Sequence, residues 1–228
     1  MDPIFIFIGV AVLIGVFAYY GWLQNKKRRE ALSALALKHG LQFSPEKDKR
    51  SIHQFEFVDP IRKGSNRYLY NRVSGEMDGR KLETFDFHYE TSSTDSKGRR
   101  QTRHYHGTCF MLMLPGAFPE LRIYREGIFQ KIAQAFGFDD IDFESAEFSK
   151  RYNVKSKDKK FAYDFCNARM IDYLLDEEDL NIEVEGAWLV IAFARRAKVE
   201  DWEKNVARLG SIYGLMPDYL FDTERPVS

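Results

Sequence analysis

NRVSGEMDGRKLETFDFHYE, residues 71–90, decides the fold class. Two strand-like segments, Asn71–Glu76 and Arg80–Glu90, flank Asp78-Gly79. That dipeptide signals a two-residue hairpin, because both of its positions tolerate positive φ. In the second segment Phe85, Phe87 and Tyr89 alternate with Asp86 and His88. The three rings therefore share one face of a strand.

Downstream, Thr91–Gln101 is polar and reads as an exposed loop, and the chain returns as a strand over Thr102–Leu114. Its end, Cys109–Leu114, is apolar on both faces, as expected of a buried central strand that Pro115 should stop. Leu121–Tyr124 predicts a short strand and Glu126–Phe136 a helix closed by Gly137. Ile141–Phe143 and Phe148–Ser156 read as strands. Asp158 caps a short helix through Phe165, and Asn167 caps another that turns Ile171, Leu174 and Leu175 inward. Ile182–Glu185 and Ala187–Ala194 predict a hairpin around Gly186. A last helix, from about Glu200 to Leu215, presents Trp202, Val206, Leu209, Tyr213 and Met216 on one face before Pro217 ends it. Helices fall between groups of hairpins rather than after every strand. The class is α+β, with helices packed on an antiparallel sheet.

Upstream lies a segment of another kind. Ile4–Leu23 is apolar and uncharged, and Lys26-Lys27-Arg28-Arg29 follows it. Twenty residues of helix span roughly 30 Å, the thickness of a bilayer's hydrocarbon core. The segment lacks a basic leader, exceeds a signal-peptide core, and ends in Tyr19-Tyr20-Gly21-Trp22 where a cleavage site needs small residues. It reads as a retained single-pass anchor. Basic residues stay on the cytoplasmic side, so the N-terminus is expected outside and the remainder in the cytoplasm at the inner membrane. Tyr19, Tyr20 and Trp22, with Lys26, Lys27, Arg28 and Arg29, are the expected contacts with the membrane surface. Residues 26–39 should continue the helix, with Leu32, Leu35, Ala36 and His39 on one adhesive face and Gly40 at its end. The organisation is an anchor over 1–25, a basic juxtamembrane helix over 26–43, and a cytoplasmic domain over 44–228.

The chain carries 34 basic and 34 acidic residues. Only Asp2 among the acids precedes residue 26, so beyond Arg29 there remain 30 basic against 33 acidic groups. Positive charge thus sits at the membrane collar and the domain body is slightly acidic, which argues against nucleic acid as a partner. Aromatic residues at 15% exclude a disordered chain. Cys109 and Cys166 lie in apolar surroundings and read as buried free thiols of a reducing compartment.

Chemistry-bearing patterns are sparse. His104 and His106 stand two apart on a strand and project together, with His88 on the neighbouring strand. These three come closest to a metal site, but a zinc site needs three or four ligands and the spacing alone assigns no metal. Asp86, Glu144 and Glu147 are candidates for a buried acid or base. The loop with Lys97, Arg99 and Arg100, and the adjoining Arg103, is a candidate for phosphate or headgroup contact. Asp176–Asp179 reads as a solvated helix end. No phosphate-cradling loop or nucleophile elbow appears, and no cofactor is implied.

Phe143-Glu144, Phe148, Tyr152-x-Val154-x-Ser156-x-Asp158, Ala162 and Met170-x-x-x-Leu174-Leu175 together resemble bacterial single-pass membrane-anchored proteins that carry a cytoplasmic domain of unknown function. The resemblance implies an anchored α+β domain and brings no activity with it. The leading expectation is a binding or scaffolding module at the inner leaflet, touching the bilayer, anionic headgroups, or a membrane or cytoplasmic protein. Alternatives are a membrane-surface enzyme, hydrolytic or metal-dependent, using the His104/His106 region, and a headgroup-binding barrel resembling a pleckstrin-homology domain.

Overall fold

Asp78 and Gly79 both take positive φ, 51° and 73°, and Met77 pairs directly with Arg80. The expected two-residue hairpin therefore closes, joining β2 (Ser65–Met77) to β3 (Arg80–Thr94). The computed structural model describes residues 3–125, 140–177 and 180–222. It is an α+β fold on an antiparallel sheet of six strands.

The longest strand, β4 (Arg100–Arg125), organises the sheet. Along its first half it pairs with β3, from Thr94↔Arg100 to Leu82↔Leu112. Where β3 turns away, β5 (Tyr152–Ser156) takes its place beside Leu121–Arg125. On its other side β4 pairs with β6 (Ile182–Phe193). A short β1 (Gln42–Ser44) edges β2. Among the described residues β1 and β6 do not pair, so the sheet is open and a closed pleckstrin-homology-like barrel is not formed.

Three expectations about strand limits are corrected. The polar segment after Glu90 is a loop only over residues 95–99; the ladder continues through Ser92↔Thr102 to Thr94↔Arg100. Pro115 does not end a strand. It lies beyond the last β3 pairing, where the β6 ladder is also broken between Met113 and Phe118, so its missing N–H forfeits no ladder bond. Gly186, at φ 57°, is not a hairpin turn; it sits opposite Phe118 in the same irregular stretch and lets β6 run through.

Alternate residues of β3, β4 and β6 feed two cores. Val73, Leu82, Phe110, Leu112 and Ile191 face one side. There α4 (Lys159–Phe165), α5 (Ala168–Asp176) and α6 (Trp202–Leu215) cover them. Phe85, Phe87, Cys109, Met111 and Val190 face the other side, under Ile52, Phe55, Val58 and Ile61. These last come from a 3-10 turn (Ser51–Phe55) and the following segment, which includes α2 (Asp59–Arg62). Asp158 and Asn167 cap α4 and α5 through the Phe161 and Met170 amides, as their residue types predict. Phe148 is not in a strand, because Ser145 accepts its amide and starts α3 (Ala146–Arg151). Residues 141–143 form no strand either, although the Ile141 amide donates to the Val154 carbonyl. The helix expected over Glu126–Phe136 lies outside the described residues. On α6 the buried face carries Asn205, Arg208 and Ile212 beside Trp202 and Leu209, rotated from the expected stripe.

The first helix, α1, runs unbroken from Pro3 to Lys38. Its portion from Phe7 onward contains a window apolar enough to cross a membrane, and none of that window is buried by the protein. The end of α1 is the opposite case. Leu32 and Ala36 enter the first core, a gain of about 2 kcal/mol for the leucine. Lys38 and His39 both reach Glu203 of α6, at 2.8 and 2.7 Å. Gly40, at φ 67°, then turns the chain into β1.

Candidate functional site

Arg28 lies one helical turn before Leu32 and two before Ala36, on the face that enters the core. Its guanidinium is therefore carried onto the sheet. Nε and Nη2 donate to the two carboxylate oxygens of Asp86 at 2.8 and 2.7 Å, and Nη1 donates to the Ala197 carbonyl at 2.7 Å. Asp86 also accepts from the Thr108 hydroxyl at 2.7 Å and the Asn71 amide at 2.9 Å. The carboxylate is 1% exposed. Four donors thus converge on this buried carboxylate, and Arg28 engages both of its oxygens. Arg28 thus faces inward, whereas Lys26, Lys27 and Arg29 remain exposed around the collar. Tyr19, Tyr20 and Trp22 are exposed on the helix, and Lys26 Nζ lies 5.4 Å from the Trp22 ring centroid.

Beside this clamp a cleft of about 300 Å³ opens between α1 and the sheet. Asn25 and Arg29 line one wall, Tyr68, Tyr70 and His106 the other, with Lys47 and Arg196 at the sides. Asn25 is two residues past Leu23, so the cleft begins about 3 Å of helix beyond the end of the apolar segment. Arg196 donates to the Asn25 side-chain oxygen at 2.8 Å, and Lys47 Nζ stands 4.7 Å over the Tyr68 ring. Among the described residues Arg29, Lys47 and Arg196 form no ion pair, and no carboxylate is among the residues lining the cleft. Three cations without counter-charge create a positive concavity, the arrangement that attracts phosphate and carboxylate groups. Tyr70 and His106 contact each other, hydroxyl to Nδ1, at 3.0 Å. Burial pushes the Tyr70 phenol up and the His106 imidazole down, so both stay neutral partners in the wall.

The register places the histidines. His88 is opposite His106, and Glu90 is opposite His104. The pair at i and i+2 does share a face, but the two rings part company. His106 turns to Tyr70, whereas His104 Nδ1 approaches His88 Nε2 at 3.2 Å and Glu90 Oε1 at 3.3 Å. His88 is buried and stacked on Tyr68, and burial lowers its affinity for a proton. Glu90 is the third member of this group, and only the strand register reveals it.

The remaining candidates separate cleanly. Glu144 and Glu147 are exposed, not buried. Lys97, Arg99, Arg100 and Arg103 are exposed at the far end of the β3–β4 hairpin, with Arg99 closed onto Asp95 at 2.9 Å. Glu177, within the acidic run, pairs with Arg208 at 2.7 Å. Cys109 and Cys166 are free and buried, and desolvation pushes both thiols above their usual range. The deeply buried acids are others. Glu183 accepts from Arg122 at 2.6 Å and from the Asp59 amide at 3.0 Å, beneath the second core. These tie α2 to β4 and β6. Sequence reasoning missed Lys47, Tyr68, Tyr70 and Arg196. It also missed the inward turn of Arg28, although its i, i+4, i+8 relation to Leu32 and Ala36 was the available signal.

No family model matches the chain, and no curated protein matches it. Among solved structures the fold is similar to that of the mycobacterial trehalose monomycolate transport factor A, TtfA. The superposition has a TM-score of 0.58 at 13% identity, and spans 85% of this chain and 96% of the other. The chain therefore shares the architecture of a mycobacterial transport factor, and the likeness is one of fold.

Proposed function

We propose that this chain is a membrane-tethered binding module of the inner leaflet whose cleft beneath α1 receives a phosphate-bearing anionic lipid headgroup. One observation carries the reading. Arg29, Lys47 and Arg196 converge without counter-charge on a cavity that begins within one helical turn of Trp22. The depth matches the headgroup layer of a bilayer holding Ile4–Leu23, and each basic group near an anionic leaflet contributes about 1 kcal/mol. The Lys26–Arg29 collar supports a cytoplasmic domain, with the N-terminus outside. The fold shared with a mycobacterial trehalose monomycolate transport factor supports a setting in membrane transport.

The test is native mass spectrometry of the full chain in detergent, incubated with phosphatidylglycerol, phosphatidylcholine or inorganic phosphate. The expected result is selective retention of one phosphatidylglycerol, displaced weakly by free phosphate. Lys47→Gln with Arg196→Gln removes about 2 kcal/mol, roughly a 30-fold loss of affinity. Equal retention of both lipids, or unchanged retention by the double variant, refutes the headgroup reading. Stronger binding of free phosphate than of lipid moves the site to a soluble anion.

A further inference from the structure

We propose that His88, Glu90 and His104 form a binding site for a transition-metal dication of the zinc class. The ligands are His88 Nε2, His104 Nδ1 and a Glu90 carboxylate oxygen. The site lies on the β3–β4 hairpin outside the cleft, and it stands whether or not the cleft takes a lipid.

The distances are those a metal needs. The three atoms are separated by 3.2 Å (His88 to His104), 3.3 Å (His104 to Glu90) and 3.9 Å (His88 to Glu90). A tetrahedral zinc with bonds of about 2.0–2.1 Å holds its ligand atoms about 3.3 Å apart. All three donors come from one face of two adjacent strands, so the backbone register fixes their convergence.

The proton count points the same way. His88 Nδ1 lies 3.1 Å from the Asn66 carbonyl oxygen and must carry its hydrogen there. With Nδ1 committed to that carbonyl, Nε2 is the ring nitrogen His88 turns toward the other two groups. Glu90 adds an anionic oxygen. His88 Nε2 and His104 Nδ1 face each other at 3.2 Å, and Glu90 Oε1, which accepts from the Asn66 amide, keeps a second lone pair toward them, so one cation can be met by all three. The surrounding contacts are those that orient ligands: the Asn66 carbonyl fixes the His88 tautomer, and the Asn66 side-chain amide donates to Glu90 at 2.7 Å. Asn66 holds a positive φ of 48° to do both. Two imidazoles and one carboxylate suit zinc-class ions, whereas magnesium and calcium prefer oxygen shells. The His104 side chain is 58% exposed, which leaves a fourth position for water or an incoming ligand.

The experiment is isothermal titration of metal-free full chain in detergent with zinc chloride, alongside cobalt(II) as a spectroscopic probe. The expected result is saturation at one ion per chain with the intense visible absorption of tetrahedral cobalt. His104→Ala, at an exposed position, weakens binding about 100-fold while far-ultraviolet circular dichroism stays unchanged. Asn66→Gly keeps the positive φ, removes the Glu90 partner and weakens binding about tenfold. His53→Ala, at an exposed histidine outside the cluster, leaves it unaltered. No saturable binding, or wild-type affinity in folded His104→Ala, overturns the proposal. Lipid retention in His104→Ala remains that of the parent chain, so failure here is distinguishable from failure of the headgroup reading.

Discussion

Replacing Arg28 by Met should loosen the joint between the membrane helix and the domain at a calculable cost. The substitution keeps the aliphatic stem and removes the guanidinium, leaving the Asp86 carboxylate 1% exposed with only the Thr108 and Asn71 donors. Breaking one side of a buried pair costs about 3–5 kcal/mol. The two surviving hydrogen bonds place this case near 3 kcal/mol, and the lost bond to the Ala197 carbonyl adds about 1 kcal/mol. In Arg28→Met/Asp86→Asn no charge is stranded, and the total falls to about 2 kcal/mol, a coupling well above the additive limit. The assay is urea unfolding of the full chain in detergent, followed by near-ultraviolet circular dichroism. With a slope of about 2 kcal/mol per molar urea, Arg28→Met lowers the midpoint by about 1.5–2 M. A shift under about 0.25 M, or a double variant as unstable as the sum of the singles, would show that solvent already satisfies Asp86 and that the clamp does not bear on the joint.

Two further outcomes follow from the buried groups. Burial pushes the Glu183 carboxyl up to about 7 from its ordinary 4.5, against the pull of Arg122 and the Asp59 amide. The folded state then holds this proton more tightly than the unfolded chain, so the contribution is complete below pH 4.5, declines across the window and is gone above about pH 7. Relative to Glu183→Gln, the parent chain should lose urea stability as pH rises from 4.5 to 7; parallel curves for the two proteins would contradict the shift. At Gly107 an added methyl would collide with the Phe87 ring and the Phe193 carbonyl oxygen on the flanking strands. Since a ladder carbonyl cannot yield, Gly107→Ala should cost about 3 kcal/mol, seen as a thermal midpoint roughly 8 °C lower. A drop below about 2 °C would mean that the strands part without penalty.

Local chemistry explains which parts of the fold were legible in the sequence. Asp78-Gly79, Asp158, Asn167 and Gly40 act through their own backbone angles or the next few amides, and each does what its residue type predicts. Pro115 and Gly186 were misleading because their consequences depend on facing strands. Each punctuates a chain in isolation, yet the two irregularities coincide across β4 and β6, and the strands continue. The site followed the same division. Period-two alternation placed His104 and His106 on one face, but separating their partners required the register that sets Glu90 against His104. Likewise Lys47 and Arg196 are distant in sequence from Arg29, and only the packed end of α1 brings the three to one cavity.

The absence of any interruption in α1 has a geometric result. A helix turns 100° and advances 1.5 Å for each residue, so the azimuth of every side chain in residues 7–23 is in fixed phase with the domain fastened at Arg28, Leu32 and Ala36. A neighbouring helix that docks on one side of the span inside the membrane therefore meets one particular side of the sheet below it. Inserting a single alanine after Gln24 would swing that alignment by more than a quarter turn, at the cost of the Lys26–Trp22 contact that spans the insertion, while Arg28, Leu32 and Ala36 keep their places on the domain. The span and the domain behave as one rotor, and recognition in the lipid is read out as orientation of the sheet beyond it.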